Sequence, residues 1–126
     1  MAKKILVIDN EQYIREITQM CLKTIAKWDV ITASSGTEGI NTAEIAQPDA
    51  ILLDVMMPDL DGITTFKMLQ NNDKTKHIPV ILLTAKVQAS DRQHYTELGL
   101  KDAIAKPFNP LDLPLQIINI LGWNGH

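Results

Sequence analysis

The chain is predicted to fold as an α/β domain with a doubly wound, five-stranded parallel sheet. Three observations carry this. Short apolar runs, rich in β-branched residues, recur along the chain; longer amphipathic segments separate them; and a polar residue closes nearly every run. Runs that are apolar throughout mark strands buried on both faces, as in parallel sheets. Strand–helix alternation with right-handed crossovers leaves few topologies for 126 residues, and the favoured strand order is 2-1-3-4-5 with helices on both faces.

The first predicted strand is Ile5-Leu6-Val7-Ile8, between Lys4 and Asp9. Ile14, Ile17, Cys21 and Ile25 follow at helical spacing. Val30-Ile31-Thr32-Ala33 is the second strand; Ser34 or Ser35 then offers a cap to a helix carrying Ile40, Ala43 and Ala46. Ala50-Ile51-Leu52-Leu53, closed by Asp54, is the third, and Gly62 leads into a helix with Ile63, Phe66 and Leu69. Val80-Ile81-Leu82-Leu83 runs from Pro79 to Thr84, before a helix capped by Ser90 and stopped at Gly99. Ala103-Ile104-Ala105 is a weaker fifth strand, closed by Lys106-Pro107. Pro110 sits near the start of a last helix whose apolar positions are Leu111, Leu115, Ile118 and Leu121.

Composition narrows the function. With 45% hydrophobic and 21% charged residues, the chain can bury a core. A formal net charge of −3 argues against a broad nucleic-acid-binding face. The lone cysteine, Cys21, excludes an intrachain disulfide and suits a reducing compartment. No segment has the length of a membrane span, and the apolar run after Lys3-Lys4 is too short for a secretory leader. The expectation is a cytoplasmic protein of one domain, residues 1–126, with neither nucleic acid nor membrane as partner.

The strand ends carry the chemistry. In open sheets of this kind, ligands bind outside the carboxyl ends of the strands where strand order reverses, here between the first and third strands. Asp9-Asn10-Glu11, Asp54, Thr84 and Lys106 would all open on that edge. Asp9, Asn10 and Asp54 offer the hard oxygens that Mg²⁺ prefers. A carboxylate beside such an ion can attack phosphorus and form an aspartyl phosphate. Lys106 would neutralise the phosphoryl charge and Thr84 would donate a hydrogen bond to it. Taken singly, each residue has a plainer reading: Asp9 as a turn residue, Thr84 as a β-branched strand residue, Lys106 as a solvated lysine. His77, His94 and His126 show no ligand spacing and are expected at the surface.

Four segments, in this order and spacing, resemble the receiver domains of two-component response regulators, and in particular the single-domain, CheY-like chemotaxis regulators. They are Ile5-Leu6-Val7-Ile8-Asp9-Asn10-Glu11, the run from Leu53 to Gly62 around Asp54, Leu83-Thr84-Ala85 and Lys106-Pro107-Phe108. The resemblance implies a flavodoxin-like (βα)5 fold in which Asp54 takes a phosphoryl group from a histidine kinase, a phosphotransfer protein or a small phosphodonor. It further implies Mg²⁺, or Mn²⁺ in its place, held by the acidic turn, Asp54 and the backbone carbonyl of Met56, with Glu11 as a further ligand. Thr84, the Ala85 N–H and Lys106 would contact the phosphoryl oxygens. A cis Lys106–Pro107 peptide is also implied. Such a module turns nothing over beyond its own phosphorylation and dephosphorylation. It would meet its downstream target through the face formed by helix 4, strand 5 and helix 5, as a monomer or a weak phosphorylation-dependent dimer.

Three features depart from the family's pattern. Asn10 stands where a second acid is usual, which removes one charge; at a surface dielectric this weakens attraction for Mg²⁺ by about a few kcal/mol before desolvation is counted. Ala103 stands where the family carries a switching aromatic, so a signal would have to travel through Thr84 and the 85–90 loop or through the last two helices as a unit. The five residues after Leu121 are too few for an output module, so signalling by protein contact alone is expected, with Trp123 capping the core. Two other readings compete. A degenerate receiver would bind partners without phosphorylation. A haloacid-dehalogenase-like phosphatase would use Asp59, in Asp59-Leu60-Asp61-Gly62-Ile63-Thr64, as its nucleophile.

Overall fold

The structure, a computed structural model, describes residues 2–123. Its elements alternate strictly: β1 (Lys4–Ile8), α1 (Gln12–Ile25), β2 (Asp29–Ala33), α2 (Gly36–Ala46), β3 (Ala50–Asp54), α3 (Gly62–Gln70), β4 (Val80–Thr84), α4 (Ala89–Leu98), β5 (Asp102–Ala105) and α5 (Leu113–Leu121). All neighbouring strands pair in parallel, in the order β2-β1-β3-β4-β5. Each predicted run is a strand, extended by one residue at one end.

Alternation along each strand divides the core in two. Leu6, Ile8, Leu53 and Leu82 point to one face, where Phe66 and Leu69 of α3 and Tyr95 of α4 cover them. Ile5, Val7, Leu52, Ile81 and Leu83 point to the other, beneath Leu22, Leu113 and Ile117 of α1 and α5. Because both faces are covered, β3 and β4 are buried along their whole length, which is why their sequences lack polar alternation. Trp123 closes the second cluster edge-on against Trp28 at 5.3 Å, the core role expected of it.

Local chemistry sets the helix starts. Ser35 accepts the Glu38 N–H at 3.1 Å, choosing between the two candidate caps of α2. Asp61 does the same for α3, accepting the Thr64 N–H at 2.8 Å. Two expected boundaries are corrected. The N-cap of α4 is Gln88, whose N–H donates to Asp91 at 3.2 Å, while Ser90 lies inside the first turn. The last helix begins at Leu113, and it is Leu113 and Ile117 that are buried, whereas Leu111 and Leu115 are exposed. The α5 sequence is apolar nearly all round, so its periodicity fits more than one phase. As expected, α4 stops at Gly99, whose φ of 111° only glycine adopts without strain. The Lys106–Pro107 peptide is cis. His77 and His94 are exposed; His126 lies outside the described residues.

Candidate functional site

Register brings the strand-end residues together. Ile8 pairs with Leu53 and Asp54 with Leu83, so the β1, β3 and β4 ends are level, and Thr84 pairs with Ala105 beside Lys106. The Lys106 ammonium reaches three carboxylates: Asp9 Oδ2 at 3.0 Å, Asp54 Oδ1 at 3.1 Å and Glu11 Oε1 at 3.1 Å. Asp9 is fully buried and Asp54 nearly so, at 2% exposure, so two of these pairs are shielded from solvent. Asp9 also accepts the Glu11 N–H at 2.9 Å, and Arg15 of α1 donates to the Asp9 carbonyl at 2.7 Å. Asp9 therefore shapes the turn and anchors the lysine.

The second oxygen of Asp54 faces Asn10. Both atoms opposite the end of the Asn10 side chain are acceptors, Met56 O at 2.9 Å and Asp54 Oδ2 at 3.2 Å, so the amide nitrogen is the atom turned toward them. The Asn10 side chain, Asp54 Oδ2 and the Met56 carbonyl thus lie side by side. Among the described residues no three His, Cys, Asp or Glu side chains form a metal-ligand group. With its oxygen turned inward, the Asn10 amide would complete a set of one carboxylate, one carbonyl and one amide oxygen, donors of the kind Mg²⁺ accepts, with one charge fewer than a two-acid turn. The residues fit the ion.

Electrostatics set the resting charge. Burial pushes the Asp54 carboxyl above the usual carboxylate range and the Asp9 charge adds to this; Lys106 and the Met56 N–H pull the other way. Burial works against the Lys106 ammonium, but Asp9, Asp54 and Glu11 outweigh it and hold the lysine above its usual range. The lysine is therefore a fixed cation.

A cleft of about 740 Å³ opens beside Asp54, between the sheet edge and α4. Thr84, Ala85 and Lys106 line it with Asp54, as does Tyr95. Thr84 Oγ1 accepts the Lys86 N–H at 3.1 Å, and the Tyr95 hydroxyl donates to the Lys86 carbonyl at 3.1 Å. Ala103 packs in the same apolar cluster as the Tyr95 ring. Tyr95 is the residue that sequence reasoning missed as part of the site: it lies within the helix expected between Ser90 and Gly99, with no local signal of its place in the cleft. Arg92 likewise joins the loop before α4 to β5, donating to Val87 O at 3.0 Å and Ala103 O at 2.8 Å and pairing with Asp102 at 2.6 Å.

Asp59 does not join this cluster. Its carboxylate accepts the Gly36 and Thr37 N–H groups at 3.2 and 3.0 Å and the Thr37 hydroxyl at 2.9 Å, at the start of α2. The Thr37 N–H, with the Leu60 and Gly36 N–H groups, holds its carboxyl well below the usual range. A carboxylate so engaged is a helix cap in trans, which weighs against its use as a nucleophile.

The family model for the response regulator receiver domain matches residues 5–118. The chain belongs to this family. Alkaline phosphatase synthesis transcriptional regulatory protein PhoP of Bacillus subtilis (strain 168) is 42% identical over 121 residues, 96% of this chain and 49% of that protein. Phosphate regulon transcriptional regulatory protein PhoB of Escherichia coli (strain K12) is 37% identical over 117 residues, 93% of this chain and 51% of that protein. The chain thus spans about half the length of the curated relatives it matches. Chemotaxis response regulator CheY4 of Vibrio cholerae superposes with a TM-score of 0.87 at 28% identity, covering 95% of this chain and 99% of that one. The receiver domain of sensor histidine kinase PA1611 from Pseudomonas aeruginosa PAO1, solved with a magnesium ion coordinated in its active-site cleft, gives a TM-score of 0.82 at 25% identity, covering 97% and 99%. Over these residues the chain is a receiver domain, the phosphoacceptor signalling module of two-component systems. No helix among the described residues is long and apolar enough to cross a membrane.

Proposed function

We propose that Asp54 is the phosphoacceptor and that this chain acts as a cytoplasmic switch between a histidine kinase or phosphotransfer protein and a protein target. The observation that carries this reading is the Asp54 carboxylate itself: nearly buried, paired with a fixed lysine cation, and opening on a cleft lined by Thr84 and Ala85. The Asp54 carboxylate attacks the phosphorus of the donor and displaces its leaving group, giving an acyl phosphate. Lys106 then moves its charge from the carboxylates to the phosphoryl oxygens, where Thr84 Oγ1 and the Ala85 N–H donate. Asp54, the Met56 carbonyl and the Asn10 amide oxygen would hold Mg²⁺, or Mn²⁺, with Asp9 and Glu11 beside them. The ion supplies charge neutralisation for the transferring group. Loss of the phosphoryl group by hydrolysis resets the switch.

The test is intact-mass spectrometry after incubation with acetyl phosphate, with and without Mg²⁺. A single phosphoryl adduct in the wild type, absent from Asp54→Asn, supports the reading. No adduct under any ionic condition favours the degenerate receiver, to which Asn10 and Ala103 lend support.

The signal has a route that Ala103 alone cannot provide. Turning the Thr84 hydroxyl toward a phosphoryl group pulls on the Lys86 N–H that it accepts, and the Lys86 carbonyl is where Tyr95 of α4 is tied. The strain on Asp54 chemistry thus reaches the face formed by α4, β5 and α5. Tyr95→Phe is expected to take up phosphate as the wild type does while losing at least half of the phosphorylation-dependent amide shift changes along α4. Identical α4 shift changes in the two proteins would remove Tyr95 from the route and leave motion of the last two helices as a unit.

A further inference from the structure

The end of the Asn10 side chain lies 2.9 Å from the Met56 carbonyl and 3.2 Å from Asp54 Oδ2. These spacings have two physical meanings. With nitrogen inward they are two hydrogen bonds, one to a neutral and one to a charged acceptor. With oxygen inward they place the amide oxygen beside two other oxygen donors. Adjacent ligands of an octahedral Mg²⁺, at 2.0–2.1 Å from the ion, lie about 2.8–3.0 Å apart. A half-turn of the amide about its last bond exchanges nitrogen for oxygen and leaves the positions unchanged.

We propose that Asn10 is a positioning residue whose amide bridges Met56 O and Asp54 Oδ2 in the metal-free protein and flips to become a ligand when a divalent cation arrives. The proposal rests on the receiver reading only for the identity of the ion. In the nitrogen-inward state, the amide ties the β1 turn to the loop after β3 and keeps Met56 O and Asp54 Oδ2 aimed at one point. The site is held in shape without an ion, and an incoming cation must compete with a donor that the chain itself supplies. Its apparent affinity falls by the fraction of molecules held in that state. Aspartate at this position would behave in the opposite way. It has no donor, so when the site is empty its carboxylate faces a carbonyl and the Asp54 carboxylate, with Asp9 and Glu11 close by and Lys106 the cation that these carboxylates share. With an ion bound, the same charge becomes attraction.

The expected result is therefore a reversal of order, not a uniform change. Thermal unfolding of the wild type and Asn10→Asp, without any phosphodonor, is compared in EDTA and in saturating Mg²⁺. In EDTA the variant melts several degrees below the wild type; in Mg²⁺ it melts above it. Its half-saturating Mg²⁺ concentration is at least tenfold lower. Asn10→Asp at least as stable as the wild type in EDTA would overturn the proposal, because the amide would then be giving nothing to the empty site.

The wild type provides an arm that does not depend on the variant folding. The Asn10 side-chain NH₂ pair in ¹⁵N spectra should show two widely separated, exchange-protected protons in EDTA, and lose both features as Mg²⁺ is added. A pair with free-amide shifts in EDTA, unmoved by Mg²⁺, also overturns it. Failure of Asp54 to take up phosphate would sink the proposed function and leave this order of melting temperatures unaffected, so the two failures are distinguishable.

Discussion

Lys106→Met is expected to destabilise the metal-free protein by about 3 kcal/mol at pH 7, the low end for removing one partner of a buried ion pair. Methionine keeps most of the apolar stem and removes the cation. Asp9, fully buried, and Asp54, at 2% exposure, are then left without the ammonium that lies 3.0 and 3.1 Å from them. Glu11 is better solvated and contributes little to the loss. The pH dependence gives the cause. Burial, followed by the Asp9 charge, already raises the folded-state pKa of Asp54, and the lysine is among the groups holding it down. Without the lysine it rises further. An acid with a raised folded pKa penalises the fold above that pKa, and the penalty is relieved as pH falls through it and the native state takes up the proton. Urea unfolding should show the gap between wild type and variant narrowing as pH falls. A gap that does not change with pH, or a variant as stable as the wild type, would show that the lysine is not balancing a buried charge.

Gly62→Ala should cost about 2 kcal/mol and slow phosphoryl uptake at Asp54. A Cβ at this position would stand 2.5 Å from the Asp54 carbonyl oxygen and 2.7 Å from the Val55 Cα. Both are backbone atoms and cannot rotate away. The Gly62 N–H also donates to Val55 O at 2.8 Å, so the first turn of α3 is clamped to the chain just after the acceptor. Two terms compete. Alanine gains about 1 kcal/mol over glycine in helix propensity, while overpacking costs about 1–3 kcal/mol and more where nothing can yield. Contact with backbone puts this site at or beyond the upper end, so overpacking wins. Urea unfolding and a time course of adduct formation check this together. A stabilised Gly62→Ala, or one that takes up phosphate at the wild-type rate, would mean that α3 does not press on the acceptor.

The sheet was legible in the sequence because its central strands, β1, β3 and β4, are buried on both faces and read as unbroken apolar runs, with a polar residue where each leaves the core. In β1, β3, β4 and β5 that polar residue is also the candidate site residue, which made Asp9, Asp54, Thr84 and Lys106 visible together. Helix phase was less legible. In α5, Leu111, Leu115 and Ile118 fit helical spacing as well as the buried Leu113 and Ile117 do, and only the position of β5 and Trp28 decides between them. The start of α4 was missed because Gln88 is a weak cap by type, and its N–H is satisfied by Asp91. Two features of the site could not be read along the chain. The Tyr95–Lys86 tie joins residues nine apart through a loop turn. The inward nitrogen of Asn10 depends on two acceptors brought by β3 and the loop after it, and in sequence Asn10 is only an acid replaced by its amide.

The most direct measurement is to locate the acyl phosphate. After incubation with acetyl phosphate and Mg²⁺, borohydride reduction converts a phosphorylated aspartate to homoserine, and tandem mass spectrometry of the digest finds where it lies. Homoserine is expected at position 54 and at no other aspartate. Homoserine at position 59, or an unmodified Asp54 in protein that carries the adduct, would contradict it.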